Sequence, residues 1–379
     1  MKPTRILDET FPSLAPVLRT AFIKTLEAWL PPLRHLPPPV RFRASGALRA
    51  WLAVLDTLPS TANARSAIGD PAVSPQSARI EFVLAIQTHI QVYDYDHDAV
   101  APMVQMMLSI SCDMLAFWLR PNALYEPTLV LGGLLGGIDI SQDLPLQLLQ
   151  PPVPTLCIVP PWQQRHHCAD ASAIMVFTHD ATPEEHPAKR TITLLVQRPS
   201  AESIAVDELW IPVKDESTTL ATALARATES TRREAAITGT KAEDIDAADA
   251  RWKQVLDYTV KVLLYLNLDD SAQRAYRPYA AAPKEFPGLG RRKREAKLAE
   301  VEQLYDRIIV GPAHVADWAG EHAGQLGAHG QLSAHWRRGH LRLQPHGPQQ
   351  SLRKIMFIKP TIVRADRLAD AGAAESSDL

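Results

Sequence analysis

Histidine and arginine side chains near the end of the chain have the chemistry that RNA cleavage without a metal ion requires. Such cleavage needs a base for the 2′-hydroxyl, an acid for the leaving oxygen and a cation beside the developing charge. His340 with either His335 or His346 could supply the acid and the base, and Arg338 or Arg342 could supply the cation. We therefore take His335, His340 and Arg342 as the candidate catalytic residues, with no cofactor and no metal.

The geometry of a regular strand works against this catalytic interpretation. His335 and His340 are five positions apart, so a straight strand places them on opposite faces. Gly339 lies between them and could bend or bulge the strand. Catalysis therefore remains one interpretation beside others.

The same stretch could instead be a surface that binds RNA. Cationic side chains contact phosphates, and an indole ring can stack on a base. The residues predicted to bind have cationic, imidazole, amide or aromatic side chains, and they are Trp336, Arg337, Arg338, Gln344, His346, Arg353 and Lys354. A third interpretation is an edge strand that its cations keep soluble.

Charge is segregated toward this end of the chain. From His322 to Arg364 there are seven Lys or Arg, five His and no Asp or Glu. The whole chain has a formal net charge of −2, so these seven cations leave −9 on the remaining residues. A local positive field of this kind attracts polyanions or acidic segments.

The elements that must position these side chains follow from the apolar spacing. Leu341 and Leu343 alternate with His340, Arg342 and Gln344, which predicts a half-buried strand with one polar face. The continuously apolar residues 355–358 predict a strand buried on both faces. We expect 339–344 and 353–359 to form a β-hairpin that joins a larger sheet.

The rest of the chain predicts an α+β protein. Residues 1–150 have mostly helical spacing, and 151–366 form the α+β region. Its short β-rich runs begin at Thr155, Ala173, Ile192 and Leu209, and they predict a mostly antiparallel sheet with helices packed on it. Within it, 245–268 is the strongest predicted helix. Residues 283–297 look like an exposed basic connector, and 132–137 like a flexible glycine turn. Residues 367–379 are predicted to be a disordered tail.

The composition further narrows the classes of protein to which this chain could belong. Three cysteines cannot close a disulfide framework, which favours a reducing cytoplasm. The N-terminus lacks the apolar core of a secretory signal, and no apolar run is long enough for a membrane span. Arg165-His-His-Cys168 together with Cys157 could ligate zinc, but the spacing matches no standard zinc site, and a loop with surface histidines is favoured.

The C-terminal pattern resembles a known family. The pattern His-x-Arg-Arg-Gly-His-x-Arg-x-Gln-Pro-x-Gly, followed by a hydrophobic strand ending in Ile-x-Pro, is similar to the C-terminus of the family of the second type V-A anti-CRISPR protein. That family is spread over phages, plasmids and bacterial chromosomes. The matching positions are His335, Arg337, Arg338, Gly339, His340, Arg342, Gln344, Pro345, Gly347, Ile358 and Pro360. A helix ending at Asn267, followed by a Lys/Arg-rich segment, also looks like that family, whereas Leu341 and His346 stand where we expect aromatic residues.

The resemblance implies a regulatory binding protein of mobile-element origin. It implies recognition of a nascent polypeptide, the N-terminus of the Cas12a nuclease in that family, and loss of the mRNA being translated. The expected partners are thus a nascent peptide or ribosome-associated mRNA, with RNA contacted by the C-terminal residues and no membrane. The alternative is a metal-independent ribonuclease that uses the His/Arg cluster and needs no peptide.

Overall fold

Helices form most of the N-terminal part of the chain, as predicted. The computed structural model describes residues 15–57, 62–87, 97–136, 145–180, 190–198, 206–223, 225–226, 228–229, 242–268, 271–313, 335–337, 340–350, 352–358 and 361–363. The N-terminal helices are α1 (Pro16–Ala28), α2 (Pro38–Ala44), α3 (Ala47–Thr57), α4 (Ala62–Gly69), α5 (Pro75–Gln87) and α6 (His97–Leu119). The later ones are α7 (Leu129–Gly136), α8 (Ala242–Leu266), α9 (Pro278–Ala281) and α10 (Arg291–Glu302), with 3₁₀ helices at Pro31–Leu33, Leu146–Leu148, Trp162–Cys168 and Pro348–Gln350.

Prolines begin several of these helices. Pro16, Pro38, Pro75 and Pro278 are the first residues of α1, α2, α5 and α9. A proline fits the first helical turn because its missing N–H has no partner there and its φ angle is already helical. The many prolines of the chain therefore mark where helices start as well as where they end.

A seven-stranded mixed sheet forms the centre of the molecule. The strands are β1 (Asn122–Pro127), β2 (Thr155–Ile158), β3 (Ala173–Asp180), β4 (Arg190–Gln197), β5 (Val206–Val213), β6 (Gln273–Tyr276) and β7 (Arg307–Val310). Their order is β5-β4-β3-β2-β1-β7-β6. β1 is parallel to both of its neighbours, since Tyr125 is in register with Ile158 of β2 and Ile308 of β7, and the other four pairings of this sheet are antiparallel. The sheet is therefore mostly antiparallel, and the predicted α+β class is confirmed.

Both faces of this sheet are buried, by different helices. Cys157, Met175 and Leu195 pack with the N-terminal helices α1 to α6. The alternate residues Leu156 and Val176 belong to a second core with α7 and α8. Because strand side chains alternate between faces, one sheet supports a helical layer on each side. Within the described residues, no helix combines the length and apolar character needed to cross a bilayer.

The glycine-rich stretch from Gly132 is helical, which corrects the predicted flexible turn. Gly132 and Gly133 lie in α7. A Cβ atom at Gly132 would clash with the side-chain amide of Gln164, on the 3₁₀ helix Trp162–Cys168. The absence of a side chain therefore leaves room for this amide, whose Nε2 donates to the carbonyl oxygen of Leu129 at the start of α7.

Two further predictions about segments need correction. Part of the predicted connector is helical, because Arg291 begins α10. The predicted hairpin does form, as β9 (His340–His346) paired with β10 (Leu352–Ile358), but these strands make a two-stranded sheet of their own. A second pair consists of β8 (His335–Arg337) and β11 (Thr361–Val363). Residues 367–379, the predicted disordered tail, lie outside the described residues.

Candidate functional site

The register of the hairpin sorts the predicted C-terminal site residues by face. Directly opposite residues of an antiparallel pair share a face, and neighbours along a strand alternate. His340, Arg342, Gln344 and His346 follow one alternation on β9, and Lys354 is opposite Gln344. Arg353 is opposite Pro345, so it falls on the other face. The structure thus places five of the predicted residues on one face of the hairpin and separates Arg353 from them.

The remaining predicted residues lie on a different pair of strands. His335, Trp336 and Arg337 form β8, which pairs with β11 rather than with the hairpin. Arg338 lies outside the described residues. His335 and His340 therefore do not share a ladder, and the register gives the predicted catalytic pair no support.

A cleft at one end of the seven-stranded sheet was not predicted. It lies where β1 and β7 begin and β6 ends, against α2 and the end of α6. We call it the strand-end cleft; its volume is about 450 Å³. Its lining is rich in arginine and aromatic side chains and consists of Arg43, Trp118, Asn122, Ala123, Leu124, Ala275, Arg277, Tyr279, Asp306, Arg307 and Ile308.

Arg43 is a fixed part of this cleft. Its Nη2 donates to the carbonyl oxygens of Glu302 and Leu304, and its Nε lies 3.3 Å from Oε2 of Glu302. Its Cζ lies 3.6 Å from the ring centroid of Tyr279 and 5.0 Å from that of Trp118. Burial lowers the pKa of this guanidinium, although Tyr279, Glu302 and Asp306 oppose that shift. Arg43 therefore ties α2 to the end of α10 and forms one wall.

Arg307 forms the second wall in a similar way. Its Nε lies 2.6 Å from Oε2 of Glu126, and Oε1 of the same carboxylate accepts a hydrogen bond from the hydroxyl of Tyr305. Its Cζ lies 4.7 Å from the ring centroid of Tyr276 and 4.9 Å from that of Tyr305. Burial and the neighbouring Glu126 raise the pKa of Tyr305. The guanidinium is thus held between two tyrosine rings, a contact worth about 0.5–2 kcal/mol.

Other cations at the cleft are open to solvent. All four residues of β6 are exposed, as is Arg277 directly after it. Within the described part of the chain, neither Arg274 nor Arg277 has an acidic partner. Tyr276 is 49% exposed, even though Arg307 lies against its ring. These three side chains are therefore available to a ligand.

Most acidic groups of the neighbouring segment already have partners. Glu295 pairs with Arg291, and Glu300 pairs with Lys297. Asp306 accepts hydrogen bonds from the backbone N–H groups of Tyr279 and Ala280 at the start of α9. Among the described residues between β6 and β7, the Lys and Arg side chains without an acidic partner therefore outnumber the Asp and Glu side chains without a partner.

A buried ion pair connects the N-terminal helices to the sheet on the opposite side of the molecule. Nε of Arg79 on α5 lies 2.7 Å from Oδ1 of Asp113 on α6, and its Nη1 lies 2.7 Å from Oε2 of Glu208 on β5. Burial raises the pKa of Asp113 to about 6 because the pull of Arg79 is shared with Glu208 and only partly offsets desolvation. This group has a structural role.

Cys157 and Cys168, the two cysteines of the possible zinc site, lie on opposite faces of the sheet. Cys157 lies in the core below the N-terminal helices, whereas Cys168 lies in the core on the other face of the sheet. Burial raises the pKa of both thiols. Across the described ranges, no group of three or more His, Cys, Asp or Glu side chains is placed to hold a metal ion.

Sequence reasoning missed the strand-end cleft because its residues come from separate parts of the chain. Arg43, Trp118, Arg277 and Arg307 are brought together only by the sheet. The one local signal is the alternation of Arg274, Tyr276, Arg277 and Tyr279, in which aromatic and cationic residues are interleaved.

Comparisons with known proteins identify the family. Residues 125–365 match the sequence model of the AcrVA2-like family, the anti-CRISPR type V subtype A2 family. No curated protein matches the chain. A crystal structure of AcrVA2 covers 85% of this chain and 99% of its own, with 10% identity and a TM-score of 0.46, values too low to support an argument of their own. The family match spans 241 of the 379 residues, from within β1 to beyond β11, and it confirms the resemblance in the C-terminal residues. The chain therefore belongs to the AcrVA2-like anti-CRISPR family.

Proposed function

We propose that this anti-CRISPR-like protein recognises a nascent polypeptide and causes loss of the mRNA from which that polypeptide is being translated. The peptide in the family is the N-terminus of Cas12a, and a Cas12a N-terminus is the first target to test. The observation that carries the proposal is the family match over residues 125–365, which includes the C-terminal residues that first suggested it.

The hairpin is the proposed contact with RNA in this function. Its register places His340, Arg342, Gln344, His346 and Lys354 on one face. Cationic and amide side chains in a row along an extended strand match a phosphate backbone. The absence of acidic residues from His322 to Arg364 supports the same role, because no carboxylate in that window repels the phosphates.

A reporter series tests recognition of the peptide. Reporters with different N-terminal coding sequences, including that of Cas12a, are expressed with and without the protein, and mRNA is quantified. We expect mRNA loss for some peptides only, unchanged when the codons are replaced by synonymous ones. A matched reporter with an early stop codon should keep its mRNA. Loss that follows the nucleotide sequence rather than the encoded peptide would exclude the proposal.

A pair of matched variants tests the hairpin face. His340→Ala combined with Arg342→Ala should abolish mRNA loss, because both residues follow the proposed RNA-contacting alternation. Arg353→Ala removes a cation from the same hairpin but on the other face, so we expect it to retain most of the activity. Thermal unfolding is measured for each protein. If the double variant loses its cooperative transition, these residues have a structural role instead.

A further inference from the structure

We propose that the strand-end cleft and the adjoining strand β6 bind single-stranded RNA. This site lies outside the C-terminal hairpin, and the inference goes beyond the proposed function because it requires neither a ribosome nor a nascent peptide. Proteins that bind single strands without sequence preference combine cations along the backbone path with aromatic rings on which bases stack. Both components are present here.

Tyr276 is the proposed stacking platform. One side of its ring is in contact with the guanidinium of Arg307, whose Cζ lies 4.7 Å from the centroid, and 49% of the residue remains exposed. Glu126 and Tyr305 hold Arg307 in place, so the ring is oriented before any ligand arrives. A preoriented ring loses little conformational entropy when a base stacks on it.

Tyr279 lines the cleft but is not a stacking platform, because cations already lie against its ring. Nζ of Lys284 lies 3.1 Å from its ring centroid, and Cζ of Arg43 lies 3.6 Å from the same centroid. Two cations therefore already occupy this ring, and a base cannot stack on it without displacing one of them. The ring keeps the two cations at the mouth of the cleft, where their charge attracts phosphate.

Arg274 and Arg277 are the proposed phosphate contacts. Both are exposed, and neither has an acidic partner among the described residues. Alternation along β6 places Arg274 on the same face as Tyr276, whereas Arg277 lines the cleft. Arg274 thus lies beside the tyrosine ring, and Arg277 lies at the adjoining cleft, so a cation is present on each side of β6.

The basic start of α10 extends the positive surface. Arg292, Lys293 and Arg294 are exposed on its first turn. From Ser271 to Val310 there are nine Lys or Arg and five Asp or Glu, an excess of four positive charges. Four of those acids are engaged by Arg291, Lys297, Arg43 and the start of α9. Glu295 and Glu300 pair with cations of the same range, so the excess of four is unchanged, and the pair of Glu302 with Arg43 adds one cation from outside the range.

An acidic extended peptide is the competing occupant. It could pair with the edge strand β6 through its backbone and with the arginines through its carboxylates. The exposed ring of Tyr276 beside Arg274 favours RNA, since bases stack on such a ring and a peptide of this kind offers no planar groups for it. The experiment therefore includes both ligands.

The test measures binding by the purified full-length protein to fluorescently labelled oligo(U) and oligo(A) RNA of about twelve nucleotides, within the usual site size. Anisotropy titrations at about 50 and about 200 mM salt give the affinity and the salt slope. Arg274→Gln combined with Arg277→Gln should lower the magnitude of the slope by about 1.4, because each single-strand phosphate contact contributes about 0.7. Tyr276→Leu should weaken binding at least about fivefold, whereas Tyr276→Phe should stay within about twofold of the parent protein.

Matched controls separate this site from general charge and from the hairpin. Arg226→Gln removes an exposed arginine outside the cleft, and Trp162→Leu removes a 74% exposed aromatic residue elsewhere. Both should bind RNA as the parent protein does. Thermal unfolding of every variant confirms that it is folded.

Three results would overturn the inference. The first is RNA binding that is absent from the parent protein or unchanged in the cleft variants. The second is loss of binding with His340→Ala/Arg342→Ala only. The third is a Glu-rich peptide that binds at β6 while RNA does not. The assay contains no translation components, so a negative result here leaves the reporter experiment intact, and a failed reporter experiment leaves this one intact.

Discussion

The buried arginines of the N-terminal helical layer and the exposed arginines of residues 273–302 have opposite environments. Arg41 donates to the carbonyl oxygen of Leu36 and to Oε1 of Gln197, and Arg120 donates to the carbonyl oxygen of Ile68. Burial lowers the pKa of Arg41 to about 10 and also lowers that of Arg120. Arg274, by contrast, is exposed and, among the described residues, has no acidic partner.

This difference separates stabilising cations from available ones. The buried arginines satisfy polar groups where helices meet each other or the sheet, and their removal leaves those groups unpaired. The exposed ones contribute little to stability, and they are the residues that we propose to contact RNA. The family match begins at residue 125, after the helical layer, and includes residues 273–302. The part of the chain shared with the family thus includes the exposed cations of residues 273–302.

The largest expected loss of stability comes from removing a buried arginine. Arg79→Ala should lower the free energy of unfolding by about 3–5 kcal/mol, because Asp113 is left as an unpaired buried carboxylate. Urea denaturation measures this loss. Adding Asp113→Asn should recover part of it, since the amide carries no charge. A loss below about 1 kcal/mol would show that the pair is not the main link between α5, α6 and β5.

Arg43 stabilises the fold and also lines the strand-end cleft, so its replacement should cause an intermediate loss of stability. Arg43→Gln removes the ion pair with Glu302 and the contact with the ring of Tyr279, so we expect a loss of about 1.5–3 kcal/mol. Arg49→Gln removes an exposed arginine from the neighbouring helix α3 and should change stability by less than about 0.5 kcal/mol. Equal effects of the two substitutions in urea denaturation would contradict the structural role of Arg43.

Titration of Asp113 should produce a smaller, pH-dependent effect. Its pKa is raised to about 6 from the ordinary value of 3.8, so between these values the folded state keeps a proton that the unfolded state has lost. The contribution of this group is therefore fully present below about pH 4 and is lost as the pH rises to about 6, with a slope of at most about 1.4 kcal/mol per pH unit.

The variant Asp113→Asn isolates this contribution from those of other carboxylates. The difference in unfolding free energy between parent and variant, measured at several pH values from about 4 to about 7, should change in favour of the variant as the pH rises. A difference that does not vary with pH would mean that the carboxyl has an ordinary pKa.

The smallest change in stability is expected from removing an exposed arginine. Arg292→Gln on α10 should change the free energy of unfolding by less than about 0.5 kcal/mol, since the side chain is exposed and makes no ion pair among the described residues. A loss above about 1 kcal/mol would place this arginine with the stabilising ones instead.

Local apolar patterns predicted the elements that they govern. The spacing over 245–268 predicted α8, and the β-rich runs beginning at Thr155, Ala173 and Ile192 predicted β2, β3 and β4. β1 was missed because Asn122–Pro127 has few β-forming residues, although it is the strand that joins both halves of the sheet. β6 was missed because its four exposed residues carry no apolar alternation.

The candidate sites were predictable only where they are continuous in sequence. The hairpin followed from the alternation of Leu341 and Leu343 with polar residues, and the structure confirms the pairing of its strands. The roles of His335, His340 and Arg342 remain predictions. The strand-end cleft depends on contacts between Arg43 and Glu302 and between Arg307 and Glu126, which no local pattern encodes.

The parallel pairing of β1 with β7 has a consequence for synthesis of the protein itself. Pro127, the last residue of β1, and Arg307, the first of β7, are 180 positions apart. During translation of this chain, the edge of β1 that pairs with β7 stays unpaired until β7 has left the ribosome. Backbone groups on that side have no ladder partner in the meantime, and a nascent chain in this state is a target for chaperones and for self-association. Fragments that stop before β7 should therefore aggregate, and useful truncations must retain the chain through Val310.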